Sequence, residues 1–152
     1  MGGSDIQTVK AFQEAEAYDG PALIIAYSQC IAHGYDLGLG MEQQKNAVLS
    51  GYWPLMRYNP MLQAQGKNPF QLDSKPPSIP LKDYSYKEAR YTMLSRSHPE
   101  VAQHLLEKAE EDVKRKWRLY EEYASGDSSL PGKIASAEGG SIPTAAPVGA
   151  RG

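Results

Sequence analysis

The sequence predicts an α/β fold, a parallel-sheet domain that is followed by a long amphipathic helix and a disordered tail. Two observations support this prediction. A helical pattern covers residues 4–18 and stops at Gly20 and Pro21, and an unbroken apolar run, residues 22–27, follows at once. A short apolar run bounded by Gly and Pro is typical of a strand that is buried on both faces of a parallel sheet. Helix, turn and buried strand together make an α/β unit.

The first helix has a recognisable start and one apolar side. Ser4 and Gln7 have the spacing of a capping box, which satisfies backbone N–H groups at the beginning of a helix. Val9, Phe12 and Ala15 follow at intervals of three residues and predict a single apolar face.

The middle of the chain predicts shorter elements. Residues 41–53 have the pattern of a second helix, which ends before a proline. Residues 56–59 and 70–73 predict the two strands of a hairpin. The proline-rich residues 75–80 predict an extended crossing segment, and residues 85–94 predict a short helix.

The longest predicted helix covers residues 97–124, where Ser97 and Glu100 fit a second capping box. An apolar stripe follows one side of this helix: Val101, Leu105, Ala109, Val113, Trp117 and Tyr120. Residues 125–152 are rich in Gly, Ala, Ser and Pro and have no periodicity, so we expect a disordered tail or a linker. The predicted domain is therefore residues 1–124, and the tail is residues 125–152.

Composition narrows the classes of function. A net charge of −2 and a pI near 5.9 give no basic surface, so nucleic acid is not an expected partner. No apolar run approaches the roughly 20 residues that span a membrane, and the N-terminus lacks the regions of a secretory signal. The single cysteine rules out an internal disulfide, and we expect a reducing, cytoplasmic setting.

That cysteine, Cys30, follows the predicted buried strand. Open α/β sheets place their chemistry beyond the carboxyl ends of strands, so a thiolate here can be a nucleophile or a metal ligand. From the residues alone, a small core side chain is the more common alternative. His33 and Asp36 lie close after Cys30, and a pairing of Cys30 with His33 would suit a nucleophile and its base. We favour a polar loop, because no third orienting group is identifiable.

Several stretches together carry a resemblance to a known family: residues 18–34 (YDGPALIIAYSQCIAHG), 50–55 (SGYWPL), 57–60 (RYNP) and 66–75 (GKNPFQLDSK). Over about residues 4–124 the chain resembles the C-terminal end of the pyruvate:ferredoxin (flavodoxin) oxidoreductases. In that family a Ser-x-Cys segment after a buried strand supplies the last cysteine of the 4Fe–4S cluster beside thiamine diphosphate. The resemblance implies that Cys30 is a ligand of this cluster. Gln29 departs from the His or Pro of many members, at a position that is not a ligand.

The resemblance implies a fragment that is inactive alone. A 4Fe–4S cluster normally takes four thiolates, so the other ligands would lie outside this chain. The site for thiamine diphosphate and Mg²⁺ would also lie mainly outside, since its Gly-Asp-Gly-type segment is missing here. The family oxidatively decarboxylates pyruvate with coenzyme A to acetyl-CoA and CO₂ and passes electrons to ferredoxin or flavodoxin. By this resemblance, residues 1–124 are the end of a thiamine-binding α/β domain, partnered by the rest of the polypeptide in a homodimer.

Other interpretations stay open. Arg57 suits a substrate carboxylate or a coenzyme A phosphate, with an ion pair inside the protein as an equal alternative. Four aromatic residues are expected to be core residues with hydrogen-bonded tips, or else to line a path near the cofactor: Tyr27, Tyr52, Trp53 and Tyr58. The module also suits a nicotinamide-dependent fusion enzyme. A third alternative is a small non-enzymatic protein whose amphipathic helix docks on a partner.

Overall fold

The computed structural model describes residues 3–126. Its helices are α1 (Asp5–Ala17), α2 (Gly40–Leu49), α3 (Met61–Ala64), α4 (Leu81–Ser85), α5 (Ala89–Ser97) and α6 (Pro99–Ser125). Its strands are β1 (Met56–Tyr58) and β2 (Phe70–Leu72), and short 3₁₀ turns cover Ile31–His33 and Leu37–Leu39. In this part of the chain the fold is helix-rich, with one small antiparallel sheet. None of these helices is both long enough and apolar enough to cross a membrane.

The buried parallel strand predicted at residues 22–27 is not formed in this structure. Residues 21–30 have no regular secondary structure, and the side chains of Leu23 and Ile25 are 84% and 72% exposed. The reason is the lack of neighbours, because a strand needs the backbone of another strand to pair with. The two strands in the described residues pair with each other, so they offer this run no parallel sheet to join.

The core lies where α2, α4 and α6 meet. Ala47, Leu81 and Tyr84 are buried at its centre. Further apolar side chains surround them: Tyr27, Tyr52, Trp53, Leu106, Ala109 and Val113. The predicted second helix ends early, at Leu49, because Gly51 adopts the left-handed conformation with φ of 74°. A Cβ at Gly51 would lie 2.7 Å from Cγ of Pro77, so only glycine lets the two segments approach this closely.

Helix α1 forms as predicted, but its apolar face points to solvent and its polar face lies against the hairpin. The Ser4 hydroxyl accepts a hydrogen bond from the Gln7 backbone N–H at 3.4 Å and caps the helix. Val9 and Phe12, expected to pack inward, are 52% and 58% exposed. The inner side of α1 instead carries Gln7 and Glu14, which make polar contacts with the hairpin.

The predicted hairpin is confirmed, with Met56 opposite Leu72 and Tyr58 opposite Phe70. It packs on the C-terminal end of α6, where the Phe70 ring centroid lies 5.6 Å from that of Tyr123. The Asn68 side-chain amide donates to the backbone oxygens of Tyr123, at 2.7 Å, and Ala124, at 3.0 Å. This amide satisfies carbonyl groups that the end of a helix would otherwise leave unpaired.

The last two predicted helices differ from the structure at their starts. A break at residues 86–88 separates α4 from α5, where one short helix was expected. The predicted capping box at Ser97 is wrong, because Ser97 is the last residue of α5 and its hydroxyl donates to the Met93 carbonyl. His98 occupies the cap position of α6 and makes no side-chain cap.

The apolar stripe of α6 is confirmed at its C-terminal half but is displaced at the N-terminal end. Ala102 is buried there, while Val101 and Leu105 are about half exposed. The tail predicted at residues 125–152 lies, from residue 127 onward, outside the described residues.

Candidate functional site

Cys30 lies at the beginning of the first 3₁₀ turn with its side chain exposed. The His33 N–H donates to the Cys30 carbonyl at 2.9 Å, and the Gly34 N–H donates to the Ile31 carbonyl at 3.1 Å. Gly34 closes the turn in the left-handed conformation, with φ of 67°. These contacts define the Cys30 turn, residues 30–34, which presents the thiol to the outside.

The Cys30 turn is docked on the corner between α4 and α5. The Ala89 N–H donates to the Gly34 carbonyl at 2.7 Å. A Cβ on Gly34 would lie only 2.6 Å from the Ala89 Cβ, so the two backbones touch without room for a side chain. Within the turn, the Cys30 N–H donates to His33 Nδ1 at 3.4 Å. The turn is therefore fixed to the folded part of the chain at its C-terminal end.

A fully buried carboxylate lies under this corner. Glu88 is 0% exposed, and each of its oxygens accepts a hydrogen bond: Oε1 from Gln43 at 3.0 Å and Oε2 from Arg90 at 2.6 Å. Glu88 Oε2 lies 3.7 Å from His33 Nδ1. The buried charge is thus balanced by the Arg90 guanidinium, as a charge removed from water requires. Burial alone would lower the pKa of Arg90, but contacts led by its hydrogen bond to Glu88 outweigh that effect and raise the pKa.

An aromatic cluster holds the chain on the N-terminal side of the turn. The Tyr27 ring stacks on Trp53 at 5.1 Å between centroids and meets the edge of Tyr52 at 5.7 Å. The Tyr27 and Tyr84 hydroxyls are hydrogen-bonded at 2.9 Å. Burial, with help from this hydrogen bond, raises the pKa of Tyr84. Tyr27, Tyr52 and Trp53 pack against the core, and Tyr27 has the hydrogen-bonded tip favoured from the sequence, whereas Tyr58 is 64% exposed.

The side chains of Cys30 and His33 are not paired as a nucleophile and its base. His33 Nδ1 receives the Cys30 N–H, and Asp36 Oδ1 accepts the Gly38 N–H at 2.9 Å, which caps the second 3₁₀ turn. Both side chains therefore organise the loop, in agreement with the polar-loop interpretation.

Arg57 belongs to an ion-pair network inside the fold. Its guanidinium makes a bidentate pair with Asp73 at 2.7 and 2.8 Å and also binds Glu14 and Gln71. The hydrogen bond that Arg57 donates to Asp73 leads the contacts that raise the pKa of Arg57. The Arg57 side chain is 9% exposed and its donors are engaged, so the ion-pair alternative is the one the structure supports.

Comparison with known proteins shows which sequence family the chain resembles. The chain is 54% identical over 125 residues to the pyruvate-flavodoxin oxidoreductase of Nostoc sp. (strain PCC 7120 / SAG 25.82 / UTEX 2576), 82% of this chain and 10% of that protein. It is 49% identical over 126 residues, 83% of this chain and 11% of the relative, to the pyruvate:ferredoxin oxidoreductase of Moorella thermoacetica. It is 48% identical over 124 residues, 82% of this chain and 10% of the relative, to the pyruvate-flavodoxin oxidoreductase of Rhodospirillum rubrum. No family model matches the chain.

The chain belongs to the pyruvate-flavodoxin/ferredoxin oxidoreductase family. It spans about a tenth of the length of these relatives. The resemblance inferred from the sequence is therefore confirmed, and the relatives are named as oxidoreductases.

The Cys30 turn offers one thiol that could bind a metal, but residues 3–126 do not hold a complete metal site. In residues 3–126 no group of three or more His, Cys, Asp and Glu side chains is arranged to hold a metal ion. The whole chain has one cysteine, whereas a 4Fe–4S cluster normally takes four thiolates. An exposed thiol on an anchored turn has the chemistry of a single ligand of such a cluster.

The structure also reveals a residue that the sequence did not single out. Glu88 is an acidic residue in the polar stretch Tyr-Lys-Glu-Ala-Arg, and such residues are usually exposed. Only the folded chain shows that its carboxylate is buried next to the Cys30 turn. The one available signal is its place directly before α5, where an acidic side chain is favoured by the helix dipole.

Proposed function

We propose that this chain is the segment of a pyruvate oxidoreductase that supplies Cys30 as one ligand of a 4Fe–4S cluster next to thiamine diphosphate. The full enzyme converts pyruvate and coenzyme A into acetyl-CoA and CO₂. The two electrons released pass through 4Fe–4S clusters to flavodoxin or ferredoxin, the acceptors in the names of the relatives. The observation that carries the proposal is an exposed thiol on an anchored turn, within a segment 54% identical to such an enzyme.

Within this proposal, the chain's own residues hold one sulfur in place. Thiamine diphosphate supplies the carbanion chemistry of decarboxylation, and its site with Mg²⁺ lies mainly outside this chain. Cys30 offers its thiolate from the turn, and the docking of Gly34 on Ala89 limits how far that sulfur can move. The Tyr27 cluster holds the chain on the other side of the cysteine. Because the other ligands are elsewhere, the segment alone has no activity.

The exposed apolar surface before residue 42 supports a place inside a larger polypeptide. Most of the large apolar side chains that are exposed in residues 3–126 lie in this region: Ile6, Val9, Phe12, Leu23, Ile24, Ile25, Ile31, Leu37, Leu39 and Met41. A surface of this kind is typical of an interface. We propose that residues 22–27 become a strand in the parallel sheet of the thiamine-binding domain of the complete enzyme, which acts as a homodimer.

The Gln29 side chain supports the same view. Its amide nitrogen and oxygen are both shielded from solvent and have no hydrogen-bond partner among the described residues. Buried polar atoms are nearly always paired in folded proteins. A partner from the remainder of the polypeptide would complete this site beside Cys30.

The direct test is Cys30→Ser in the full-length enzyme, purified without oxygen, with Ser28→Ala as the matched control. Ser28 lies two residues earlier, is exposed, and bonds only to the carbonyl of its neighbour. We expect Cys30→Ser to lose the iron and the electron paramagnetic resonance signal of one cluster, together with transfer of electrons to the acceptor. Unchanged iron content and an unchanged signal in Cys30→Ser would refute the ligand assignment.

A further inference from the structure

We propose that Glu88 is a positioning residue that fixes the Cys30 turn through the corner between α4 and α5, and so sets the place of the cysteine sulfur. The claim that Glu88 affects a cluster rests on the proposed function. The claim that Glu88 fixes the Cys30 turn rests only on contacts within the chain. Glu88 touches neither the thiol nor any reacting group, so its role is indirect.

The first step is the anchoring of the carboxylate. Glu88 receives a hydrogen bond on each oxygen, from Gln43 of α2 and from Arg90 of α5. The Gln43 amide also donates to the Tyr84 carbonyl of α4 at 2.9 Å. The Glu88 carboxylate and the Gln43 amide together connect α2, α4 and α5 at a single point. The bond from Arg90 is charge-assisted, and hydrogen bonds of this kind are the stronger ones.

The second step links this point to the turn. Glu88 is the cap residue of α5, so the next residue, Ala89, begins the helix with its N–H directed at the Gly34 carbonyl, 2.7 Å away. The position of the Glu88 backbone thus decides where that N–H points. The His33 ring, which receives the Cys30 N–H, lies 3.7 Å from the carboxylate.

The third step is the close packing of Gly34 against Ala89. Gly34 and Ala89 approach so closely that an added Cβ on Gly34 would meet the Ala89 methyl at 2.6 Å. A displacement of the corner therefore has to move the turn, because packed groups cannot slide past each other without changing their contacts. Moving the turn changes the position of the ligand, which in iron–sulfur proteins is one influence on the potential.

The test compares three variants. Glu88→Gln keeps the shape of the side chain but replaces one of its two acceptor oxygens by an NH₂ group and removes the charge, so the side chain can no longer accept from Gln43 on one oxygen and from Arg90 on the other. Ala89→Pro removes the N–H that binds Gly34 without touching the carboxylate, at the first helical position, where proline is tolerated. Glu42→Gln is the control, since it makes the same chemical change at an exposed glutamate paired with Lys87.

The first readout is hydrogen–deuterium exchange of the backbone amides of residues 31–34 in the chain itself. We expect exchange about tenfold faster in Glu88→Gln and in Ala89→Pro, with no change in Glu42→Gln, because the turn opens locally while α2 and α6 stay folded. This readout needs no cluster, so it remains informative if the Cys30→Ser test refutes the ligand assignment.

The second readout is the midpoint potential and resonance spectrum of the cluster in the full-length enzyme. The proposal expects both to change in Glu88→Gln and Ala89→Pro and to match the wild type in Glu42→Gln. Wild-type exchange at residues 31–34 in both variants would overturn the proposal. Faster hydrogen exchange at residues 31–34 with an unchanged cluster potential and spectrum would also overturn it, because Glu88 would then have only a structural role.

Discussion

Residues 40–126 and residues 3–39 are held in place by different forces. The first region has a core, in which Tyr84 is 0% and Trp117 is 8% exposed. The second region turns most of its large apolar side chains outward, with Phe12 58% and Leu23 84% exposed, and Tyr27 is an exception that packs against the core. Its helix α1 is attached by polar contacts, from Arg57 to Glu14 and from Gln7 to Asp73.

This difference shows how to recognise a segment whose apolar surface packs against another part of a larger protein. An amphipathic helix on the surface of a self-contained protein normally buries its apolar side. In α1 the polar side faces the hairpin, while Ile6, Val9 and Phe12 face outward. The arrangement is consistent with a second layer of protein over the N-terminal region, and it agrees with a chain that spans a tenth of its relatives.

The largest effect is expected from breaking the core. Tyr84→Ala removes a fully buried ring that packs 4.8 Å from Tyr52 and bonds to the Tyr27 hydroxyl. We expect the free energy of unfolding, measured by urea denaturation, to fall by about 3–5 kcal/mol, as for other large aromatic residues. Tyr58→Ala is the matched control, because Tyr58 is 64% exposed; a similar loss in that variant would contradict the assignment of the core.

The next effect concerns the attachment of α1. Arg57→Met removes the cation that binds Glu14 and Asp73, which leaves two partly buried carboxylates without it. We expect a loss of about 2–3 kcal/mol in the free energy of unfolding, and faster hydrogen exchange in α1 than in α6. Arg115→Met is the control, since its pair with Asp112 lies on the exposed side of α6. Equal losses in the two variants would show that the network does not hold α1.

The same network predicts a loss of attachment in acid. Burial alone would raise the pKa of Asp73, but hydrogen bonds from Arg57 and Gln7 outweigh it, so the pKa in the folded chain is lowered. The hydrogen bond from Asn59 leads the contacts that lower the pKa of Glu14.

Since both folded pKa values lie below the unfolded ones, this stabilisation is present above the unfolded pKa and is lost as the pH falls through the folded values. Proteolysis of residues 18–30 should therefore accelerate as the pH falls below about 4, the usual range of free carboxyl groups. In Asp73→Asn the acceleration of proteolysis in acid should be smaller. The same pH dependence as in the wild type would show that protonation of Asp73 does not cause the loss of attachment.

The smallest effect in the isolated chain should come from the exposed face of α1. Phe12→Ser is expected to change the free energy of unfolding by no more than about 0.5 kcal/mol, because Phe12 is largely in solvent. In the full-length enzyme the same change should lower thermal stability clearly. An equal, small effect in both proteins would mean that this face is not covered.

The sequence could predict local structure where the signal is local. The Ser4 cap, the end of α1 before Gly20 and the pairing of residues 56–58 with 70–72 all depend on nearby residues, and all are found in the structure. The start of α6 was misplaced because Ser97 bonds back into α5 instead of capping the next helix.

Burial was harder to predict because it depends on neighbours. The run at residues 22–27 has the composition of a buried strand, but no strand in residues 3–126 is available to pair with it. The inward side of α1 was misjudged for the same reason, since its apolar residues have no covering layer here. Glu88 escaped notice because a buried carboxylate is recognised only through its partners, which come from other helices.

The measurement that tests the account most directly is the mass of the native polypeptide that contains this segment. An antibody raised against α6 would be used on a lysate of the source cells. The account predicts a band about ten times heavier than the 16.7 kDa of this chain, in proportion to the length of the relatives. A single band at 16.7 kDa would contradict it, and would favour a small protein that docks on a partner through its exposed apolar face.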